Sequence, residues 1–170
     1  MPSVRTTVTY LEMLAPPATP PLAPPEPGLV VRRAPSPAAE RYLEWYDRVG
    51  RDLTWTGRKL MPRSELQDIL DDPGVEVSLL ETARGLAGYF ELDRRSIGQV
   101  ELAYFGLFPE ARGRKLGPFL LDRAIRAAWS GATRRVWVHT CTLDDPRALP
   151  LYQRLGFTPW ATAEEEVELP

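Results

Sequence analysis

Seven of the 18 prolines in this 170-residue chain lie between Pro16 and Pro27. Proline lacks an amide proton and fixes φ, so this run can be neither helix interior nor central strand and favours an extended, polyproline-like path. It divides the chain into an N-terminal segment over residues 1–15, a strap or linker over 16–28, and a remainder over 29–170 that must hold the main core. The first segment contains Thr6-Thr7-Val8-Thr9-Tyr10-Leu11. Its β-branched and aromatic residues predict a strand over 4–13, paired with its own domain or with a partner. The proline run reads as a spacer or, alternatively, as a docking ligand for another domain.

Beyond the strap the periodicities are those of an α/β domain. A short strand is expected over 29–33, then a helix over 37–49 with Ala38, Tyr42, Trp45, Tyr46 and Val49 on one face and Gly50 as its stop. Ser64 with Gln67 three residues later has capping-box spacing, and Leu66, Ile69 and Leu70 form the stripe of a second helix that Pro73-Gly74 ends. Strands over 75–80, 86–92 and 99–108 have connections too short for a crossover and must be antiparallel. A helix over 118–129, with Pro118 at its first position, lets the next strand, over 135–142, run parallel to the one before it. A helix over 146–155 and two short strands over 157–160 and 165–169 complete the pattern.

Composition narrows the chemistry. Lys plus Arg number 21 against 23 Asp plus Glu, a net charge of -2, which lacks the basic excess of a nucleic-acid binder. The single histidine, His139, and single cysteine, Cys141, cannot build a structural zinc site or an intrachain disulfide, so no metal is expected and a reducing compartment fits. No apolar run of about 18 residues and no signal-peptide pattern is present, which predicts a cytoplasmic protein without a membrane partner. The chemistry concentrates in a strand, turn and helix. The turn, Pro109-Glu110-Ala111-Arg112-Gly113-Arg114-Lys115-Leu116-Gly117, is basic and feeds a helix start, where free amides and the helix dipole favour a phosphate. It is neither a nucleoside-triphosphate loop nor a dinucleotide Gly-x-Gly-x-x-Gly motif.

Two motifs in order give the chain a resemblance to the GCN5-related N-acetyltransferase (GNAT) family over about residues 29–169. The acyl-CoA signature Arg/Gln-x-x-Gly-x-Gly/Ala is matched at Arg112 and Gly117, with Lys115 in place of the middle glycine. The pattern Asn-x-x-Ala-x-x-x-Tyr-x-x-x-Gly-Phe is matched at Ala148, Tyr152, Gly156 and Phe157, with Asp145 for Asn. The resemblance implies a mixed, mostly antiparallel sheet with a V-shaped splay, flanked by about four helices. It implies acetyl transfer from acetyl-CoA to the primary amine of a small molecule or peptide, by direct attack in a ternary complex. Phe105, Gly106, Leu107, Arg112, Gly113, Arg114, Lys115, Leu116, Gly117, Asp145 and Ala148 would contact acetyl-CoA, with the Phe105 to Leu107 amides facing the thioester carbonyl. Tyr152 matches the family's acid for the leaving thiolate. Glu101 stands where several members carry a base, and strand alternation would put it on the face of Ala103, Phe105 and Leu107. Trp55, in the connection that also carries Asp52 and Arg58, and His139 would meet the acceptor. The alternative reading is a catalytically silent acyl-CoA-binding or interaction module. A homodimer stays open.

Overall fold

The computed structural model describes residues 2–169. Its strands are β1 (Ser3–Met13), β2 (Val30–Arg33), β3 (Val75–Thr82), β4 (Gly85–Asp93), β5 (Gln99–Leu107), β6 (Arg135–Cys141) and β7 (Thr158–Glu168). Its helices are α1 (Ala39–Gly50), the single turn α2 (Gly57–Leu60), α3 (Arg63–Asp71), α4 (Leu116–Ala128) and α5 (Ala148–Arg154). The seven strands form one sheet in the order β2-β3-β4-β5-β6-β1-β7. Every neighbouring pair is antiparallel except β5 with β6, joined in parallel through α4. This is the mixed, mostly antiparallel sheet with flanking helices that the two motifs implied.

Strand alternation builds two cores. Leu80, Phe90, Leu92, Val100 and Leu102 face one side and pack with Leu120, Leu121, Ala124 and Ile125 of α4. Val77, Leu79 and Tyr89 face the other side, against Tyr42, Trp45, Tyr46 and Val49 of α1 and Leu66 and Leu70 of α3. Within the second core the buried Glu91 carboxylate accepts from the Tyr42 hydroxyl at 2.6 Å and from Arg58 of α2 at 2.8 Å. An unpaired buried carboxylate would be costly, so this triad ties α1 and α2 to β4.

β1 lies inside the sheet, antiparallel to β6 and to β7. The proline strap that follows crosses α4. The amide of Leu22 donates to Asp122 Oδ2 at 3.1 Å, Arg123 donates to the Leu22 carbonyl, and Arg126 donates to the Thr19 carbonyl. Glu26 receives both Nε and Nη2 of Arg114, at 3.0 and 2.8 Å.

Several local expectations are corrected. Ser64 does not cap α3, whose first residue is Arg63. Gln67 instead accepts from the Ala39 amide at 2.8 Å and donates to the Pro37 carbonyl, so it closes the open start of α1. Gly50 ends α1 without a left-handed φ; its need is space, because a Cβ there would lie 2.4 Å from Trp55 Cβ. α4 begins at Leu116, two residues early, which makes Pro118 its third residue. The two C-terminal strands are one, because β1 offers an unbroken edge that only skips a residue at Trp160, between the pairs Tyr10↔Ala161 and Leu11↔Pro159. Ala103 is likewise skipped between Glu91↔Tyr104 and Leu92↔Leu102. That bulge reverses the alternation, so Glu101 does not share the face of Phe105.

Gly106 lies directly under α1, where a Cβ would come within 2.2 Å of Val49 Cγ1. Gly106→Ala should therefore destabilise the protein by about 1–3 kcal/mol through overpacking. Adding Val49→Ala should return part of the loss, read as a recovery of the denaturant midpoint.

Candidate active site

β5 and β6 pair only at Gln99↔Arg135, Val100↔Val136 and Glu101↔Trp137. Beyond these the strands part, and a cleft of about 960 Å3 opens between them. That volume is at the upper end of small-molecule sites, roughly 300–1,000 Å3. Phe108 donates its amide to the Ala87 carbonyl at 2.8 Å, so by alternation the amides of Leu107 and Phe105 point to the opposite, open edge of β5. The parted strands thus line the cleft with backbone groups free for a ligand.

One end of the cleft is basic. Arg112, Gly113, Lys115, Leu116 and Gly117 line it, with Asp145, Ala148 and Arg154 from the α5 side. Lys115 sits at φ +62 and Gly113 at φ +79, both left-handed. The motif glycine replaced by Lys115 thus answers to a conformation, and lysine holds it at a strain of about 1–2 kcal/mol. Leu116 and Gly117 open α4, where their amides have no helical partner. Among the described residues, Arg112, Lys115 and Arg154 form no ion pair with a carboxylate. Arg114 does not line the cleft, since Glu26 of the strap holds its guanidinium. Asp145 accepts from the Arg147 amide at 3.0 Å and from its guanidinium, which holds the carboxyl below its ordinary range.

Midway along the cleft, Tyr152 of α5 packs its ring 6.2 Å from Phe105 and 5.8 Å from Phe157. Burial, and secondarily the Asp144 charge, push its phenol above the ordinary range, so it keeps its proton at neutral pH. Gly106 lines the same stretch.

The other end is aromatic and acidic, lined by Tyr46, Trp55, Tyr104, His139, Asp144, Glu165 and Glu166. His139 Nδ1 lies 3.5 Å from Glu101 Oε1, and Tyr10 and Trp137 flank the ring at 5.8 and 6.0 Å. Glu101 itself does not line the cleft; it stands in the last β5–β6 pair, opposite Trp137, before the strands part. Its hydrogen bond, ahead of the opposing effect of burial, raises the His139 pKa above 6.5. The imidazolium therefore adds stability below the unfolded-state value, and this is lost as pH rises through the higher folded value.

Sequence reasoning missed Asp144. It accepts from Thr140 Oγ1 at 2.7 Å, from the Cys141 amide at 2.9 Å and from Trp55 Nε1 at 3.3 Å, which links the α1–α2 connection to the end of β6. Two adjacent aspartates after a strand were the only signal, and the motif drew attention to the second. Among the described residues, no group of three or more His, Cys, Asp or Glu side chains is placed to hold a metal, and no helix is long and apolar enough to cross a membrane.

The family model described as Acetyltransferase (GNAT) family matches residues 40–157. The chain belongs to the GNAT acetyltransferase family. Among solved structures, a GCN5-related N-acetyltransferase from Sphaerobacter thermophilus superposes with a TM-score of 0.67 at 20% identity, over 97% of this chain and 52% of that one. A mutant of the SpeG spermidine N-acetyltransferase from Vibrio cholerae gives 0.62 at 16% identity, over 84% and 94%. An aminoglycoside acetyltransferase from an uncultured soil metagenomic sample, in complex with sisomicin, gives 0.59 at 11% identity, over 75% and 87%. At identities this low the structural likeness shows the fold alone. This chain spans only 52% to 61% of the neighbours that match 95% or more of it. No curated protein matches the sequence.

The Glu101–His139 contact in this GNAT cleft is open to direct measurement. Glu101→Gln should lower the His139 titration midpoint followed by NMR of the ring protons. An unchanged midpoint would show that another group governs the ring.

Proposed function

We propose that the chain is an acetyl-CoA-dependent N-acetyltransferase that passes the acetyl group directly to a primary amine. The observation that carries this reading is the parting of β5 from β6 after three residue pairs, which leaves one cleft reaching both faces of the sheet. Its basic end suits the pyrophosphate, its open strand edges suit the amides of pantetheine, and its acidic end suits a cationic acceptor.

The amides of Phe105 and Leu107 stabilise the oxyanion that forms as the amine attacks the thioester carbonyl. Tyr152 donates to the sulfur as the thiolate departs, the role that its protonated, buried phenol supports. The acceptor arrives as an ammonium and must lose a proton before it attacks. His139, which lines the cleft, takes that proton in its neutral form. Glu101 is a positioning residue that holds Nδ1 and leaves Nε2 for the acceptor. Trp55, fastened to Asp144, forms the wall against which the acceptor lies. The neighbours named for spermidine and aminoglycoside acetylation make small cationic amines the first acceptors to try.

Calorimetric titration with acetyl-CoA, followed by assay of released CoA thiol over an amine panel, tests the reading. Tyr152→Phe should lower kcat by about 100-fold while the acetyl-CoA dissociation constant stays within about twofold. Arg112→Ala should weaken acetyl-CoA binding, read as a higher dissociation constant. Glu101→Gln should move the acidic limb of the kcat/KM profile to lower pH, because the neutral imidazole then forms earlier. Binding without thiol release on any amine would leave an acyl-CoA-binding module in place of the enzyme.

A further inference from the structure

A second cavity, of about 380 Å3, opens between the proline strap and the start of α4. Leu22, Ala23 and Pro25 of the strap form one wall and Phe119 of α4 the other. Lys115, Pro118 and Arg154 line this cavity and also the main cleft, so the two spaces meet at the basic end. The cavity is therefore apolar on its sides, with two cations at its junction that have no carboxylate partner among the described residues.

The strap is held in place on this spot. Asp122 is only 5% exposed, yet it is a carboxylate on the helix surface, satisfied by Arg123, Arg126 and the Leu22 amide. Glu26 clamps Arg114 from the other end of the wall. Between these anchors the prolines restrict the backbone before any ligand arrives, which lowers the ordering cost of binding. The strap lies outside the part of the chain that matches the family model.

We infer that the strap is a wall of a nucleotide subsite. The 3′-phosphoadenosine end of acetyl-CoA leaves the main cleft between Lys115 and Arg154 and lies in the second cavity. Its base rests against Leu22, Pro25 and Phe119, and its phosphate meets Arg154 and Lys115. A flat heterocycle beside a phosphate is the chemistry that an apolar slot with cations at its mouth selects. The inference rests on the acetyl-CoA reading, and it assigns to this chain's own strap the discrimination between the whole coenzyme and its pantetheine part.

The test is calorimetric titration of the full chain with acetyl-CoA, acetyl-dephospho-CoA and S-acetyl-pantetheine. Ala23, exposed on the strap, is replaced by Trp to fill the cavity from the strap side, and an unchanged denaturant midpoint checks that the fold is kept. Ala23→Trp should weaken acetyl-CoA binding by about tenfold, about 1.4 kcal/mol, and leave S-acetyl-pantetheine binding unchanged. Arg154→Gln should narrow the gap between acetyl-CoA and acetyl-dephospho-CoA. Wild-type affinity for acetyl-CoA in Ala23→Trp, or an equal loss for S-acetyl-pantetheine, would overturn the subsite while the acetyl-CoA reading stands. Failure of the unaltered chain to bind acetyl-CoA would remove both.

Discussion

Three residue pairs join the two halves of this sheet. Four strands, β2 to β5, stand on one side of the junction and β6, β1 and β7 on the other, and the ladder between them runs only over Gln99, Val100 and Glu101 of β5. Had the parallel ladder continued, the amides of Phe105 and Leu107 would be spent on β6 and no cleft would cross the sheet. The junction survives with so few hydrogen bonds because Val100, Leu102, Val136 and Val138 share one core with α4. Burial beneath the junction does the holding that hydrogen bonds would otherwise do. β1 adds to this by offering β6 a second, antiparallel partner over six residue pairs.

Charge is distributed along the cleft with the same economy. Among the described residues, Arg112, Lys115 and Arg154 are without carboxylate partners at one end, while Arg58 and Arg114 are paired elsewhere, with Glu91 and Glu26. The Arg58–Glu91–Tyr42 contact holds the α2 turn against β4 from inside the second core. Removing one partner of such a buried pair costs about 3–5 kcal/mol because the other charge is left unpaired, so neither Arg58 nor Glu91 can be lost alone at the aromatic end of the cleft. Trp55 then reaches across to Asp144, made possible by the bare Cα of Gly50 beneath its ring.

Local signals were legible where one element satisfied itself. The stripe Leu120, Leu121, Ala124 and Ile125 marked α4, and short connections made β3, β4 and β5 antiparallel. The matches at Arg112, Gly117 and Tyr152 pointed to residues that all line the cleft. Legibility failed where a side chain serves a distant element. Gln67 has the spacing to cap its own helix but closes α1, 28 residues away. The bulge at Ala103 follows from how β5 fits against β4, and no pattern within β5 announces it. Arg114 looked equivalent to Arg112 until Glu26, 88 residues earlier, claimed it.

Sequence alone determined the element types, the antiparallel run of strands, the basic turn at the start of α4 and the family to which the chain belongs. Each of these depends on spacing within a short window, where period, caps and turn residues act through neighbouring backbone. The tertiary structure alone decided that β1 enters between β6 and β7, that the splay of β5 from β6 begins after Glu101, that Glu101 meets His139, and that the proline strap walls a second cavity. These are contacts between residues far apart along the chain. Their partners are selected by the packing of the whole core and by which buried charges must be satisfied, and neither quantity exists until the chain has folded.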